Sequence, residues 1–269
     1  MSAEQRIRPP AVAGMFYPGD ASELTRMLDA MLAVASSNHA DSPKALIVPH
    51  AGYIYSGPTA AMAYATLDRQ RIRRVVLLGP VHRVPVRGLV LPDADAFATP
   101  LGIIPLDTTG MQAIEGLPQV SRNALAHQQE HSLEVQLPFL QRCLDTFTLL
   151  PLAVGDATHE EVAGVLDAVW GGEETLILIS SDLSHYHHYI EARRIDVLTA
   201  DTIRHLHFPL HHEQACGATP VNGLLQLAAQ KDMTCLQLDL RNSGDTAGDK
   251  EGVVGYGSFA FYEDGIHGA

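Results

Sequence analysis

Short unbroken apolar runs alternate along this chain with longer stretches whose apolar residues recur every three or four positions. The runs Leu46-Ile47-Val48, Val75-Val76-Leu77-Leu78 and Leu176-Ile177-Leu178-Ile179 are too short for helices and read as fully buried strands. Further strands are expected over 88–91, 102–106, 147–154, 233–240 and 253–262. Helical spacing places Leu24, Met27, Leu28, Met31 and Leu32 on one face, behind Asp20 and Glu23 in capping-box positions. Thr158 and Glu161 repeat that signature before Val162, Val165, Leu166 and Val169. Other helices are expected over 58–67, with Pro58 as first residue, and over 109–115, 190–206 and 219–230. Leu133, Leu137 and Leu140 mark one more. Residues 1–19 read as an irregular entry segment, and 36–43 as a polar loop. No linker or repeat interrupts the alternation. It therefore predicts one α/β domain over residues 1–269, with helices on both faces of a sheet.

The ends of the three buried runs carry the chemistry. The first stops at Pro49, which cannot donate to a sheet ladder, and delivers His50. The second passes through Gly79-Pro80-Val81 to His82, and the third through Ser180-Ser181 to Asp182 and His185. In an open α/β sheet the carboxyl ends of parallel strands form the ligand crevice, so these side chains are expected at one edge. The strand over 233–240 runs into Arg241-Asn242-Ser243-Gly244-Asp245, which places a carboxylate just past another strand. His50, His82 and Asp245 together suit a divalent metal. Two imidazoles and one carboxylate with open positions belong to non-haem Fe(II) chemistry, and three protein ligands plus water equally to catalytic zinc. Asp182 and His185 share a side if their loop turns helically, and the carboxylate would then orient an acid–base imidazole. Glu130 and His131, at the mouth of a helix, are candidates for the same work. No Gly-x-Ser-x-Gly elbow surrounds Ser56, Ser180 or Ser181, which disfavours a serine hydrolase. Cys216 is either a nucleophile or, as is commoner for this residue, a small buried thiol.

Composition narrows the partners. A net charge of -13 lacks the basic footprint of a nucleic-acid or anionic-membrane binder. No run is long and apolar enough to span a bilayer, and the polar N-terminus has no signal-peptide core. Three cysteines form no CxxC, so a reducing cytoplasm is expected. Of the fourteen histidines, His205, His207, His211, His212 and His267 stand in no motif.

Several stretches in order resemble the Memo family, also called protein B of the AmmeMemoRadiSam system. They are Pro49-His50-Ala51-Gly52-Tyr53-Ile54-Tyr55-Ser56-Gly57, Gly79-Pro80-Val81-His82, Glu130-His131-Ser132-Leu133-Glu134-Val135-Gln136-Leu137-Pro138-Phe139, Ser180-Ser181-Asp182-Leu183-Ser184-His185-Tyr186, Cys216-Gly217 with Pro220, and Val254-Gly255-Tyr256-Gly257. The resemblance implies a three-layer α/β/α sandwich similar to class III extradiol dioxygenases, around a mostly parallel or mixed sheet. It implies that His50 and His82 bind metal, that His185 and Asp182 stand beside it, and that Glu130 and His131 line the pocket. Many relatives carry His-His where this chain has His82-Arg83. Animal Memo proteins use a cysteine as third ligand near the last strand. Here Cys235 comes too early and Asp245 occupies the region, so Asp245 is the expected third ligand. The implied cofactor is Fe(II), with copper or zinc as alternatives. The implied function is metal-dependent redox chemistry on an unidentified small molecule, in partnership with AMMECR1-domain and radical-SAM proteins. A non-catalytic adaptor binding a metal or peptide, as animal relatives are regarded, is the alternative, and a zinc hydrolase a third.

Overall fold

The computed structural model describes residues 5–35 and 42–263. The first four residues, most of the expected polar loop (36–41) and His267 lie outside the described residues. In chain order the elements are β1 (Ile7–Arg8), α1 (Ala21–Val34), β2 (Ala45–Val48), α2 (Tyr53–Tyr64), β3 (Arg74–Pro80), β4 (Leu89–Leu91), β5 (Ala96–Thr99), β6 (Gly102–Pro105), α3 (Thr108–Ile114), β7 (Val120–Arg122) and α4 (Ala124–Gln128). There follow α5 (Leu137–Cys143), β8 (Thr148–Val154), α6 (His159–Ala168), β9 (Thr175–Ser180), β10 (His185–His187), α7 (Tyr189–Arg204), α8 (Ala218–Gln230), β11 (Thr234–Asn242) and β12 (Val253–Tyr262).

The architecture is mixed α/β. A nine-stranded sheet runs β10-β12-β2-β9-β3-β8-β4-β7, with β11 also paired to β12. Its centre, β2-β9-β3-β8, is wholly parallel. The three apolar runs form its spine: Leu46 to Val48, Val75 to Leu78 and Leu176 to Ile179 have no exposed surface. Parallel strands covered on both faces need such continuous apolar runs. Helices cover both sides. On one, α1, α2 and α5 pack together; on the other, α8 lies against β3 and β9 and pairs with α6. A small sheet, β1-β5-β6, ties in the N-terminal segment.

Caps set where the helices begin. The Asp20 carboxylate accepts from the Ser22 and Glu23 N–H groups, opening α1 with Leu24 and Leu28 buried. Thr158 and Glu161 make the reciprocal box at α6. One expected boundary is wrong. The second helix begins at Tyr53, five residues before Pro58, which sits inside it. Tertiary anchors outweigh the proline: Tyr53 N–H donates to Phe16 O at 2.8 Å, and its hydroxyl to Val135 O at 2.7 Å. Gly57 lets α1 approach closely: a Cβ there would lie 2.7 Å from Met31 Sδ of α1, and that flexible side chain would have to move.

Register decides what meets at the edge. Val48 pairs with Ser180, and Leu78 with Ile179, so β2, β9 and β3 end nearly level. β9 lies between the other two, and the residues just beyond all three strands share one crevice.

Candidate metal centre

Three imidazoles meet at that crevice. One ring nitrogen from each of His50, His82 and His131 lies within 4.8 Å of the others. His50 follows β2, His82 follows β3, and His131 comes from the loop joining α4 to the α5 region. Hydrogen bonds bind that loop to the strand ends. Ser132 Oγ donates to Pro80 O at 2.8 Å, and Ser180 Oγ to Ser132 O at 2.6 Å. Gly79 makes room, since a Cβ there would stand 2.8 Å from Ser132 Oγ.

Glu130 organises the pair beside it. Its Oε1 accepts from His82 Nδ1 at 2.8 Å and from the His131 and Ser132 N–H groups at 3.0 Å; Oε2 accepts from His82 N–H at 2.6 Å. Burial alone would raise this carboxyl, but the His82 hydrogen bond and charge, with the backbone donors, hold it down at about 2. An ionised Glu130 accepts only, so His82 Nδ1 carries the hydrogen between them, which leaves Nε2 as the nitrogen facing away from the carboxylate. A carboxylate behind a ligating imidazole fixes its tautomer and raises its basicity.

The other two rings are kept neutral. Burial, then the neighbouring His131 and His82, pushes His50 well below the usual imidazole range. Burial and His82 push His131 down to about 4. Neutral imidazole is the metal-binding form. His131 Nδ1 is buried 3.3 Å from Glu130 Oε1, in a contact that does not meet hydrogen-bond geometry. An all-imidazole donor set of this kind fits a first-row transition ion. The cluster faces a cleft of about 580 Å3, also lined by Phe16, Tyr55, Asp182, His185, Tyr186 and Tyr256.

Comparison with known proteins agrees with the sequence motifs. The family model Memo-like protein matches residues 8–260. A MEMO1 family protein of Aquifex aeolicus (strain VF5) is 38% identical over 266 residues, 93% of this chain and 97% of the relative. The chain belongs to the Memo family. A second relative, a MEMO1 family protein of Archaeoglobus fulgidus, is 32% identical over 95% of this chain and 99% of its own. The crystal structure of an uncharacterized protein, JW3007 from Escherichia coli K12, overlaps 81% of this chain and 99% of its own at TM-score 0.47 and 14% identity, too loose a likeness to carry weight.

Within this Memo fold the expected site residues separate. His50, His82 and His131 come together, and Glu130 supports them. Asp245 does not join them. It lies in a tight turn in which Asn242 and Asp245 cap each other, so its Oδ2 accepts from Asn242 N–H at 3.0 Å and its Oδ1 from the Tyr189 hydroxyl at 2.5 Å. It lines a separate depression with Tyr189 and Arg193. Ser243 and Asp249 from the same loop reach the cleft instead. The third imidazole is His131, which the family resemblance placed in the pocket wall and the sequence pattern offered for acid–base work.

Asp182 and His185 both line the cleft, but not as an orienting pair. The segment makes no helical turn: residues 181–184 have no regular structure, and His185 opens β10. Asp182 Oδ1 accepts from the His50 N–H at 2.7 Å, while His185 Nδ1 donates to Leu183 O at 2.8 Å. Burial raises Asp182 to about 7 against the pull of the His50 N–H, and lowers His185. Cys216 is half-buried, and its thiol is pushed up to about 12 by burial and then by Asp182. Its Sγ stands 3.3 Å from His50 Nε2 and accepts from Asp182 N–H. No helix among the described residues is long and apolar enough to cross a membrane.

Proposed function

We propose that this Memo-family protein binds one divalent first-row metal ion through His50, His82 and His131, and carries out redox chemistry on a small organic molecule held in the cleft. The observation that carries the reading is the convergence of three imidazoles within 4.8 Å of one another on the wall of a cleft of about 580 Å3. Imidazole suits iron, copper and zinc alike. The carboxylate that favoured Fe(II) in the sequence reading is absent from the cluster, so copper gains on iron. When bound, the ion would supply electron transfer or a polarised ligand, since three protein donors leave coordination positions open.

The chain's own residues supply the rest. Glu130 holds His82 with its free nitrogen available. His185, its Nδ1 proton committed to Leu183 O, presents Nε2 as a proton acceptor in the cleft. Tyr55, Tyr186 and Tyr256 give the cleft aromatic faces and hydroxyl groups to hold an organic substrate. Partnership with AMMECR1-domain and radical-SAM proteins, implied by the family resemblance, belongs to this proposal.

A second reading, zinc-dependent hydrolysis, draws on the donor set itself, because three histidines also make a catalytic zinc site. The test is metal analysis of protein purified without oxygen, followed by exposure to a catechol in air and, separately, to an activated ester. Bound iron or copper with ring oxidation supports the redox reading. Bound zinc with ester cleavage alone replaces it with the hydrolase. Failure of added Fe(II), Cu(II) and Zn(II) to bind at all would refute both and leave a metal-free binding module.

A further inference from the structure

Behind His50 lies a chain of buried polar groups whose hydrogen atoms can be placed by counting. Gln136 Nε2 is 2.9 Å from Pro49 O and 2.8 Å from Ser180 Oγ, and Gln136 Oε1 accepts from the Tyr64 hydroxyl at 2.6 Å. The Pro49 carbonyl can only accept, so the amide nitrogen must face it and the amide cannot be flipped. Ser180 Oγ therefore receives a hydrogen from Gln136. The same oxygen lies 2.6 Å from Ser132 O, another group that can only accept. A hydroxyl has one hydrogen and two lone pairs. Its hydrogen goes to Ser132 O, and one lone pair takes the Gln136 amide. The other lone pair is left for His50 Nδ1, at 2.8 Å. Ser180, Gln136, Tyr64, Ser132 and His50 are all at most 2% exposed, so bulk water is kept from reversing the sequence.

We propose that Ser180 is a positioning residue for the metal centre: its hydroxyl, locked by Ser132 O and Gln136, forces His50 into the Nδ1–H tautomer and so reserves Nε2 for the ion. Free histidine in water favours the opposite tautomer, in which Nε2 is protonated. The fold thus sets against solution preference the one tautomer that leaves Nε2 able to bind. The bare Nε2 is met by Cys216 Sγ at 3.3 Å, and a thiol can donate to it. The Glu130–His82 contact achieves the same result with a charge; the Ser180 relay achieves it with neutral groups, and its direction follows from two backbone carbonyls. The proposal rests on the reading of His50 as a ligand only for its consequence. The tautomer itself is a property of the metal-free chain.

The experiment is 15N-detected NMR of histidine-labelled, chelator-treated protein at neutral pH, with the His50 ring assigned by its loss in His50→Gln. Zn(II) titrations run in parallel. The wild type is expected to show His50 as Nδ1–H. Ser180→Ala is expected to show a shift towards Nε2–H and to bind Zn(II) ten- to a hundredfold more weakly, the usual cost of losing an outer-shell partner. Gln136→Met removes a buried amide but leaves Ser132 O to claim the Ser180 hydrogen, so the Nδ1–H tautomer is expected to persist. A purely structural role would weaken zinc binding in both variants and move the tautomer in neither. Should Ser180→Ala not fold, the wild-type spectrum still decides: His50 observed as Nε2–H overturns the relay. Wild type that is Nδ1–H yet binds no Zn(II) keeps the relay and overturns the metal reading instead.

Discussion

Glu130→Gln should cost this protein both stability and metal affinity, and the stability loss should fade in acid. The carboxylate takes four hydrogen bonds, three on Oε1 and one on Oε2. A glutamine can turn its oxygen to the three donors, but its NH2 then faces the His82 N–H and one buried donor is left unmet, at about 1–3 kcal/mol. Linkage gives a second measure. The carboxyl is held at about 2 instead of 4.5, a difference of about 2.5 units at 1.36 kcal/mol each, so on the order of 3 kcal/mol. Because the folded value is depressed, this contribution is complete above pH 4.5 and is lost as pH falls towards 2. At pH 3, one unit above the folded value, about 1.4 kcal/mol remains. Denaturant unfolding of the metal-free wild type and variant should therefore differ by roughly 3 kcal/mol at pH 7 and by about half that at pH 3. Metal affinity at pH 7 should fall about ten- to a hundredfold. Equal midpoints at pH 7, or a gap that does not narrow in acid, would refute the claim that Glu130 is an ionised organiser of the site.

Glu134 accepts from Arg8, Tyr17 and the Ala11 and Val12 N–H groups, and its pair with Arg8 at 2.7 Å is almost fully buried. Glu134→Gln should strand the Arg8 guanidinium and lower unfolding free energy by about 3–5 kcal/mol, with residues 8–17 losing amide-exchange protection first. Gly217→Ala would put a Cβ 2.7 Å from Ser181 Cβ and 2.9 Å from Ser180 O, atoms that cannot swing aside; a loss of about 1–3 kcal/mol is expected in urea unfolding. His185→Gln should leave metal binding intact and lower turnover by roughly 10²–10⁴ if the ring moves a proton; unchanged turnover with full metal would remove it from that role.

Much of this was legible because the parallel core writes itself plainly. Strands buried on both faces must be continuous apolar runs, and in β2, β3 and β9 each run leads into polar groups just beyond the strand. The likeness of those endings gave His50 and His82 from sequence, and family motifs named the neighbours. The third imidazole was harder. His131 follows no strand; it stands in a loop between short helices, and only the hydrogen bonds through Glu130 and Ser132 carry it to the strand ends. Asp245 misled for the converse reason. β11 is antiparallel to β12, which is antiparallel to β2, so β11 ends at the same edge as the site strands. The edge was right, but the capped turn after Asn242 folds Asp245 back onto its own strand. In the Asp182–His185 segment, spacing suggested a helical turn; no helix forms there, and Asp182 serves the His50 N–H instead. The start of α2 was obscured by Pro58, whose usual place at a helix start was overruled by the packing of Tyr53.

The most direct measurement is a Zn(II) titration by calorimetry of the wild type, His131→Ala and Asp245→Asn, each first stripped with chelator. One ion per wild-type chain is predicted, with binding abolished or greatly weakened in His131→Ala and unchanged in Asp245→Asn. Tight binding that survives the loss of His131 but not the loss of the Asp245 charge would contradict the three-histidine centre.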